Sequence, residues 1–349
     1  MDEEAESFFG RTCRLRPRDL AASRERLDAF VAEQVRDGRR CALVTSGGTS
    51  VPLEINTVRF VDNFSTGTRG AVCTEELLGS GYAVVLLYRL GSAVPFLSGL
   101  YAELRQDPVE LLKGLGAGAQ LVAPPLELQC GPGSLTAASG HVPQPLHLLA
   151  LPFTTIFEYL FLLRESCQSL ERAGRGALLL LAAAVSDFYL PEEDMAVEKI
   201  QSRAADGLHI HLRNVPKLLG AVRSWAPDAL LVSFKLETNA NILDAKAAGA
   251  ICKYGVDAVC ANLLHSYREW VNLLQRDPHS SRIELPTQDV TGAEKEPLVV
   301  RGLLCERIEK GQCDASTDRP LARAVVRLHE AHVSRASSEH ASKRLRTDT

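Results

Sequence analysis

An alternation limits what this chain can fold into. Short apolar runs, each the length of a strand, are separated by stretches whose apolar residues recur at helical spacing. The runs are Cys41-Ala-Leu-Val-Thr-Ser, Ala83-Val-Val-Leu-Leu-Tyr, Ala177–Val185, Ala229–Phe234 and Asp257–Ala261. Gly67–Leu78, Phe153–Ala173, Pro216–Trp225 and Ala240–Tyr254 read as the helices among them. Pro216 suits a helix start, where a missing N–H costs nothing. Strands alternating with helices predict an α/β fold: a Rossmann-like, open, mainly parallel sheet flanked by helices. The first strand stops at Gly47-Gly48, a tight loop, and the β-loop-α-β unit that follows is expected to be right-handed.

The rest of the chain divides around this pattern. Residues 1–37 read as an N-terminal helical extension, with Leu20, Leu27, Phe30, Val31 and Val35 on one helix face over 17–37. Residues 38–333 read as a single α/β domain. Within it, 97–151 is rich in Gly, Pro and Leu and reads as an insertion or lid. Segment 188–215 breaks the alternation and reads as a flap or protruding dimerisation arm, with Gly207–Arg213 an exposed strand of period two. Trp270–Leu274 and Pro297–Leu304 are predicted to form a closing hairpin, and Leu321–His332 a last helix. The polar, charged residues 334–349 read as a disordered tail.

Composition excludes several classes of function. Lys plus Arg number 39 against 43 Asp plus Glu, a formal net charge of −4, which argues against bulk nucleic-acid binding. The longest apolar run, Ala177–Val185, falls far short of the ~20 residues of a membrane span. The acidic start, Met1-Asp-Glu-Glu-Ala-Glu, lacks the apolar stretch of a secretory signal. Nine cysteines, an odd number without a CxxC pair, read as reduced thiols rather than disulfides or a zinc ribbon. A soluble, cytoplasmic protein is expected.

The common catalytic signatures are missing. The sequence holds no GxxxxGK[ST] loop, no dinucleotide glycine fingerprint, no GxSxG elbow and no HExxH. His209 and His211 share a strand face but read as ordinary exposed positions. What remains is a set of polar strand ends, where open parallel sheets bind ligands. Ser46-Gly47-Gly48-Thr49 offers close backbone approach and hydroxyls for a phosphate. Asp62-Asn63-Phe64-Ser65-Thr66-Gly67-Thr68-Arg69 leads into a helix. Ser65 or Thr66 suits the cap, and the helix N-terminus beside Arg69 suits an anion. Ala182-Ala183-Ala184-Val185-Ser186-Asp187 combines small residues with an Asp at the rim, for a ribose hydroxyl or a magnesium water. Phe234-Lys235 puts an aromatic face and a cation at another strand end, where an isolated buried Lys would be costly.

In order, V-T-S-G-G-T, V-R-F-V-D-N-F-S-T-G, A-A-A-V-S-D-F, E-K-I-Q-S, V-P-K-L-L, V-S-F-K-L-E-T and A-N resemble phosphopantothenoylcysteine synthetase of the eukaryotic, single-function type. The likeness covers about residues 38–95 and 153–265. It implies a ligase that joins 4′-phosphopantothenate to L-cysteine in coenzyme A synthesis. A nucleoside triphosphate, ATP favoured over CTP, would be the co-substrate, with Mg²⁺, an acyl-nucleotide intermediate and release of pyrophosphate. It also implies a homodimer.

By the same resemblance Asn63 and Lys199 are catalytic. Ser46, Gly47, Gly48, Thr49, Ser65, Gly67, Arg69, Leu181, Ala182, Ala183, Asp187, Pro216, Lys217, Leu218, Leu219, Phe234 and Lys235 contact the nucleotide, and Asn63 and Asn262 the other substrate. No metal ligands are assigned. Ala248 and Cys252 stand at about the places of two family lysines, and Lys246 and Lys253 on the same helix are the candidate replacements. A second reading is a catalytically idle, nucleotide-binding relative serving as a regulatory or scaffold subunit; the presence of Asn63, Asp187 and Lys199 argues against it.

Overall fold

The computed structural model describes residues 3–97, 146–201, 207–286, 290–312 and 314–347. Helices α1 (Glu3–Arg11) and α2 (Leu20–Arg36) precede strand β1 (Cys41–Ser46) and an antiparallel hairpin of β2 (Ser50–Pro52) and β3 (Phe60–Asp62). Helix α3 (Thr68–Gly79) leads to β4 (Ala83–Arg89), and β5 (Leu148–Phe153) leads through α4 (Ile156–Leu170) to β6 (Ala177–Leu181). Strand β7 (Phe188–Tyr189) pairs with β8 (Arg213–Asn214). Then follow α5 (Leu219–Trp225), β9 (Leu230–Glu237), α6 (Leu243–Tyr254), β10 (Ala258–Leu263), β11 (Trp270–Arg276), β12 (Leu303–Glu309) and α7 (Asp318–Thr347).

Eight strands form one sheet in the order β12-β11-β10-β9-β6-β1-β4-β5. All pairs from β5 to β10 are parallel, and β11 and β12 add an antiparallel end. Strand β1 is buried along its whole length. Its residues alternate between two cores, Leu43 in one and Ala42 and Val44 in the other, as a period of two requires. Helices α1, α2, α4, α5 and α6 cover the first face, and α3 and α7 the second. Helix α4 starts in a reciprocal cap between Thr155 and Glu158. The expected Rossmann-like α/β architecture is therefore present, with helices on both faces.

The N-terminal segment is helical, as expected, and it packs into the main core. Phe8 and Phe9 of α1 are buried against Phe157, Phe161, Tyr189 and Trp225 in the main core. Each such burial is worth roughly 1.5–3 kcal/mol. Several expectations change. The 97–151 insertion was drawn too long, because Leu148–Phe153 is the edge strand of the sheet; most of that segment lies outside the described residues. The strand expected over 207–213 is confined to Arg213–Asn214, and Leu208 and Ile210 are exposed. Period two alone did not supply a partner strand. The closing hairpin exists, but its second strand is 303–309 and not 297–304. The last helix continues through Thr347 where a disordered tail was expected; neither Pro nor Gly interrupts 321–347.

His329 on α7 is fully buried. Its Nδ1 lies 2.8 Å from the Tyr82 hydroxyl and its Nε2 lies 3.0 Å from the Arg175 carbonyl. Neutral imidazole satisfies both, with Nε2–H donating and Nδ1 accepting. Burial, aided by the nearby His332 and Arg40 charges, pushes the imidazole down to about 4. The unfolded chain then takes up this proton first, so stability is full above about pH 6.5 and falls as the pH drops to 4. The loss is about 3 kcal/mol at pH 4. Urea midpoints taken from pH 7 to 5 should decline in the wild type, and less steeply in His329→Gln.

Candidate active site

Ligands bind an open α/β sheet outside the carboxyl ends of its strands, where successive crossovers leave in opposite directions. Here that point lies between β1 and β6. Strand β1 connects through α3 on one face, and β6 through α5 on the other. The loops after these two strands are stitched together. Thr49 N donates to Ala184 O at 3.0 Å and Ala184 N to Gly47 O at 2.8 Å. Ala183 N donates to Thr45 Oγ1 at 3.1 Å, and Ser186 N to Thr49 Oγ1 at 3.0 Å. Two of the predicted strand ends thus form one wall.

A second wall packs on the glycines. Asn63 N donates to Thr49 O at 3.1 Å. A Cβ on Gly48 would overlap the Asn63 carbonyl oxygen, so only glycine lets the two backbones touch. Gly47 has φ +86°, and a Cβ there would meet Arg89. Arg89 Nη1 donates to Gly48 O and to Asp62 Oδ1, both at 2.8 Å, locking the glycine turn to the end of β3. The half-buried Asn63 is therefore fixed through its backbone. Its side-chain amide makes no hydrogen bond among the described residues.

The predicted hydroxyls do other work. Ser46 Oγ donates to Gly67 O at 2.9 Å, and Thr49 Oγ1 is the acceptor named above. Both are buried and shape the loops rather than face a ligand. Neither Ser65 nor Thr66 is the cap of α3. Gly67, in the left-handed region, holds that position, and Ser65 Oγ accepts from Gly67 N at 3.3 Å.

On the β6–β9 side, Leu181 is buried and Ala182 and Ala183 are half-buried. Lys217 Nζ donates to Asp187 Oδ1 at 3.0 Å, and Val215 N donates to Asp187 O, so the Pro216–Leu219 stretch adjoins Asp187. Helix α5 begins only at Leu219. Lys235 is not buried; it is half-exposed and pairs with Glu237 at 3.1 Å. Arg69 is engaged on every nitrogen. It reaches Asp318 at 2.8 Å, Asn262 at 3.2 Å and Tyr267 O at 3.0 Å, and lies over the Phe234 ring at 5.4 Å. Arg69, Phe234 and Asn262 are thereby joined in one cluster. Lys246 donates to Val290 O, and Lys253 lies over Tyr254.

Lys199 is not brought beside Asn63. Its segment runs along the far end of the β2–β3 hairpin, where Ile55 N donates to Ala196 O and Asn56 N to Val197 O. The anchor is Glu54, which the sequence reading missed. Its buried carboxylate accepts from Val58 N, Arg59 N, Arg59 Nη1 and Ile200 N. Burial opposes ionisation, but these donors outweigh it and hold the carboxyl at about 2. A charge inside the apolar stretch Val51–Ile55 was the available signal. Lys199 itself is exposed, and its ammonium has no partner among the described residues.

The buried thiols are held protonated. Burial pushes Cys41 up to about 11 and Cys260 to about 12, so neither is a thiolate at neutral pH. No cluster of three or more His, Cys, Asp or Glu is placed to hold a metal ion among the described residues. Nor is any described helix long and apolar enough to cross a membrane.

The fold is that of a doubly wound α/β protein, with the β1 and β6 loops joined at its switch point. Residues 165–286 match the DNA/pantothenate metabolism flavoprotein C-terminal domain family. The chain is 44% identical over 274 residues to phosphopantothenate–cysteine ligase 2 of Oryza sativa subsp. japonica, covering 77% of this chain and 82% of that protein. It is 38% identical over 300 residues to the Homo sapiens phosphopantothenate–cysteine ligase, covering 82% and 92%. A solved structure of a Cab2 variant in complex with phosphopantothenate-cysteine superimposes with a TM-score of 0.71 at 29% identity, covering 92% of this chain and 97% of that one. The chain belongs to the phosphopantothenate–cysteine ligase family.

Proposed function

We propose that this protein joins 4′-phosphopantothenate to L-cysteine at the switch-point crevice, with ATP favoured over CTP. The observation that carries the reading is the uncommitted Asn63 amide, fixed against Gly48 beside the stitched β1 and β6 loops. The relatives act, by their names, on these substrates, and the Cab2 structure holds their conjugate.

The chemistry needs charge neutralisation and positioning rather than a protein nucleophile. The pantothenate carboxylate attacks the α-phosphorus, the α–β anhydride bond breaks, and pyrophosphate leaves. The cysteine amine then attacks the acyl carbon of the acyl-nucleotide, loses a proton, and expels the nucleoside monophosphate. Asn63 donates to the acyl oxygen as negative charge grows there. The Gly47-Gly48 turn and the start of α3 face the phosphates with backbone N–H groups. The small residues Ala182 and Ala183 and the Phe234 ring take the base, and Asp187 and Lys217 sit at the ribose. Magnesium enters as the nucleotide complex, which suits an ion that keeps waters and phosphate oxygens as ligands.

Lys199 is the proposed triphosphate cation because its ammonium is uncommitted, whereas Lys217 and Lys235 are ion-paired. Lys199→Ala should slow pyrophosphate release about 10²-fold. Unchanged kinetics would move the role to Lys235. A homodimer is supported by the exposed apolar residues Val58, Phe60, Phe64 and Val197 around the hairpin, together with Leu208 and Ile210 of 207–213. Free thiols at every described cysteine support a reducing, cytoplasmic setting.

The deciding experiment is pyrophosphate release with Mg²⁺, 4′-phosphopantothenate and cysteine, run with ATP and with CTP. Release that requires 4′-phosphopantothenate, with the cysteine conjugate identified by mass spectrometry, is the expected result. A folded protein that binds nucleotide yet releases no pyrophosphate would instead be an idle relative.

A further inference from the structure

We infer that Asp318, the first residue of α7, is a positioning residue for the nucleotide side of the crevice and acts through Arg69. This rests on Phe234 and Asn262 facing the nucleotide. Four separate elements converge on the Arg69 guanidinium. It projects from the first turn of α3, and its Nε donates to Asp318 Oδ1 at 2.8 Å. Its Nη1 donates to Asn262 Oδ1 at the end of β10, and its Nη2 to Tyr267 O in the loop beyond. Its plane covers the Phe234 ring on β9. The Arg69 and Asp318 side chains are 18% and 8% exposed.

A guanidinium this enclosed needs a countercharge, and Asp318 supplies it. The carboxylate is itself held, since Ser316 Oγ donates to its other oxygen at 2.9 Å. Thr317 Oγ1 donates to Tyr267 O at 3.1 Å, the same carbonyl that Arg69 grips. The start of α7 thus braces the base-stacking ring and the Asn262 amide. Without the Asp318 carboxylate the enclosed guanidinium loses its countercharge, and Phe234 and Asn262 lose the brace that Arg69 gives them.

Steady-state kinetics on the full-length chain test this. Asp318→Asn should raise KM for the magnesium nucleotide about 10-fold, while KM for 4′-phosphopantothenate stays within about 2-fold. Arg69→Lys keeps the charge beside Asp318 but loses the fork, and should do the same. The double variant should be no worse than either single one, because both cut one link. If Asp318→Asn does not fold, as judged by circular dichroism and thermal melting, Arg69→Lys alone carries the test through the same split in KM. Equal rises in both KM values, an unchanged nucleotide KM, or additive losses would overturn the inference and leave the ligase reading standing. A wild type that neither binds nucleotide nor releases pyrophosphate overturns both.

Discussion

Asn63→Ala should keep the fold and lose about 10²- to 10³-fold of the overall ligase rate, the usual cost of removing one donor to a developing oxyanion. The fold is expected to survive because the Asn63 side chain makes no hydrogen bond among the described residues, while its backbone N–H and carbonyl hold the contacts to Thr49 and Gly48. Those contacts remain in alanine, so stability should change by less than about 0.5 kcal/mol. The rate should fall in kcat with little change in KM for the nucleotide, because the lost interaction strengthens only as charge builds. Thermal melting together with single-turnover acyl-nucleotide formation checks both halves. A near-normal rate, or a collapse in melting temperature, would remove Asn63 from the proposed role.

Gly48→Ala should be the more damaging substitution, because it strikes structure and site together. The added methyl has nowhere to go: its nearest atom is a backbone carbonyl oxygen, not the end of a movable side chain. Either the Asn63 strand end or the glycine loop must move. Arg89 resists both movements, since one of its nitrogens bonds Gly48 O and Asp62 Oδ1. We expect a stability loss of about 3 kcal/mol and a rate loss of at least about 10²-fold from misplacing Asn63. Denaturant midpoints and pyrophosphate release measure the two. Gly79→Ala, at a position with open space around the missing Cβ, is the control and should be nearly silent in both.

The central architecture was legible in the sequence because both of its periods were clear. The buried strands β1, β4, β6, β9 and β10 read as apolar runs, since helices cover both sheet faces. The β2–β3 hairpin was not legible: its strands are three residues each, too short for any period to show. The backbone demands a residue type at Gly47 and Gly48, and both were legible as a tight glycine turn; Asn63 was picked out by the family resemblance, since its own backbone would accept alanine. Sequence reasoning failed where a side chain's partner lies far along the chain. Arg69 looked like a free anion ligand because Asp318, 249 residues later, carries no local mark of the pairing. Arg89 was missed for the same reason, its partners Asp62 and Gly48 lying 27 and 41 residues back, whereas Glu54, with donors at Val58 and Arg59, did carry a local signal. Ser46 and Thr49 had the right chemistry for a phosphate, but hydroxyls serve equally well to tie loops.

The central position of β1 has a consequence for how the chain is made. It pairs at once with β4, but its other neighbour, β6, is supplied much later. Thr45 and its partner Ala183 are 138 residues apart. At ~5–20 residues per second, a ribosome takes roughly 7 to 28 s to deliver that partner. Through that interval one edge of a strand that ends up wholly buried stands open, a template for the wrong neighbour. The seam between β1 and β6 is also where the proposed site lies. The nascent chain is therefore open to misassembly at that seam, and expression at lower temperature or with added chaperone should raise yield more than any change at the chain ends.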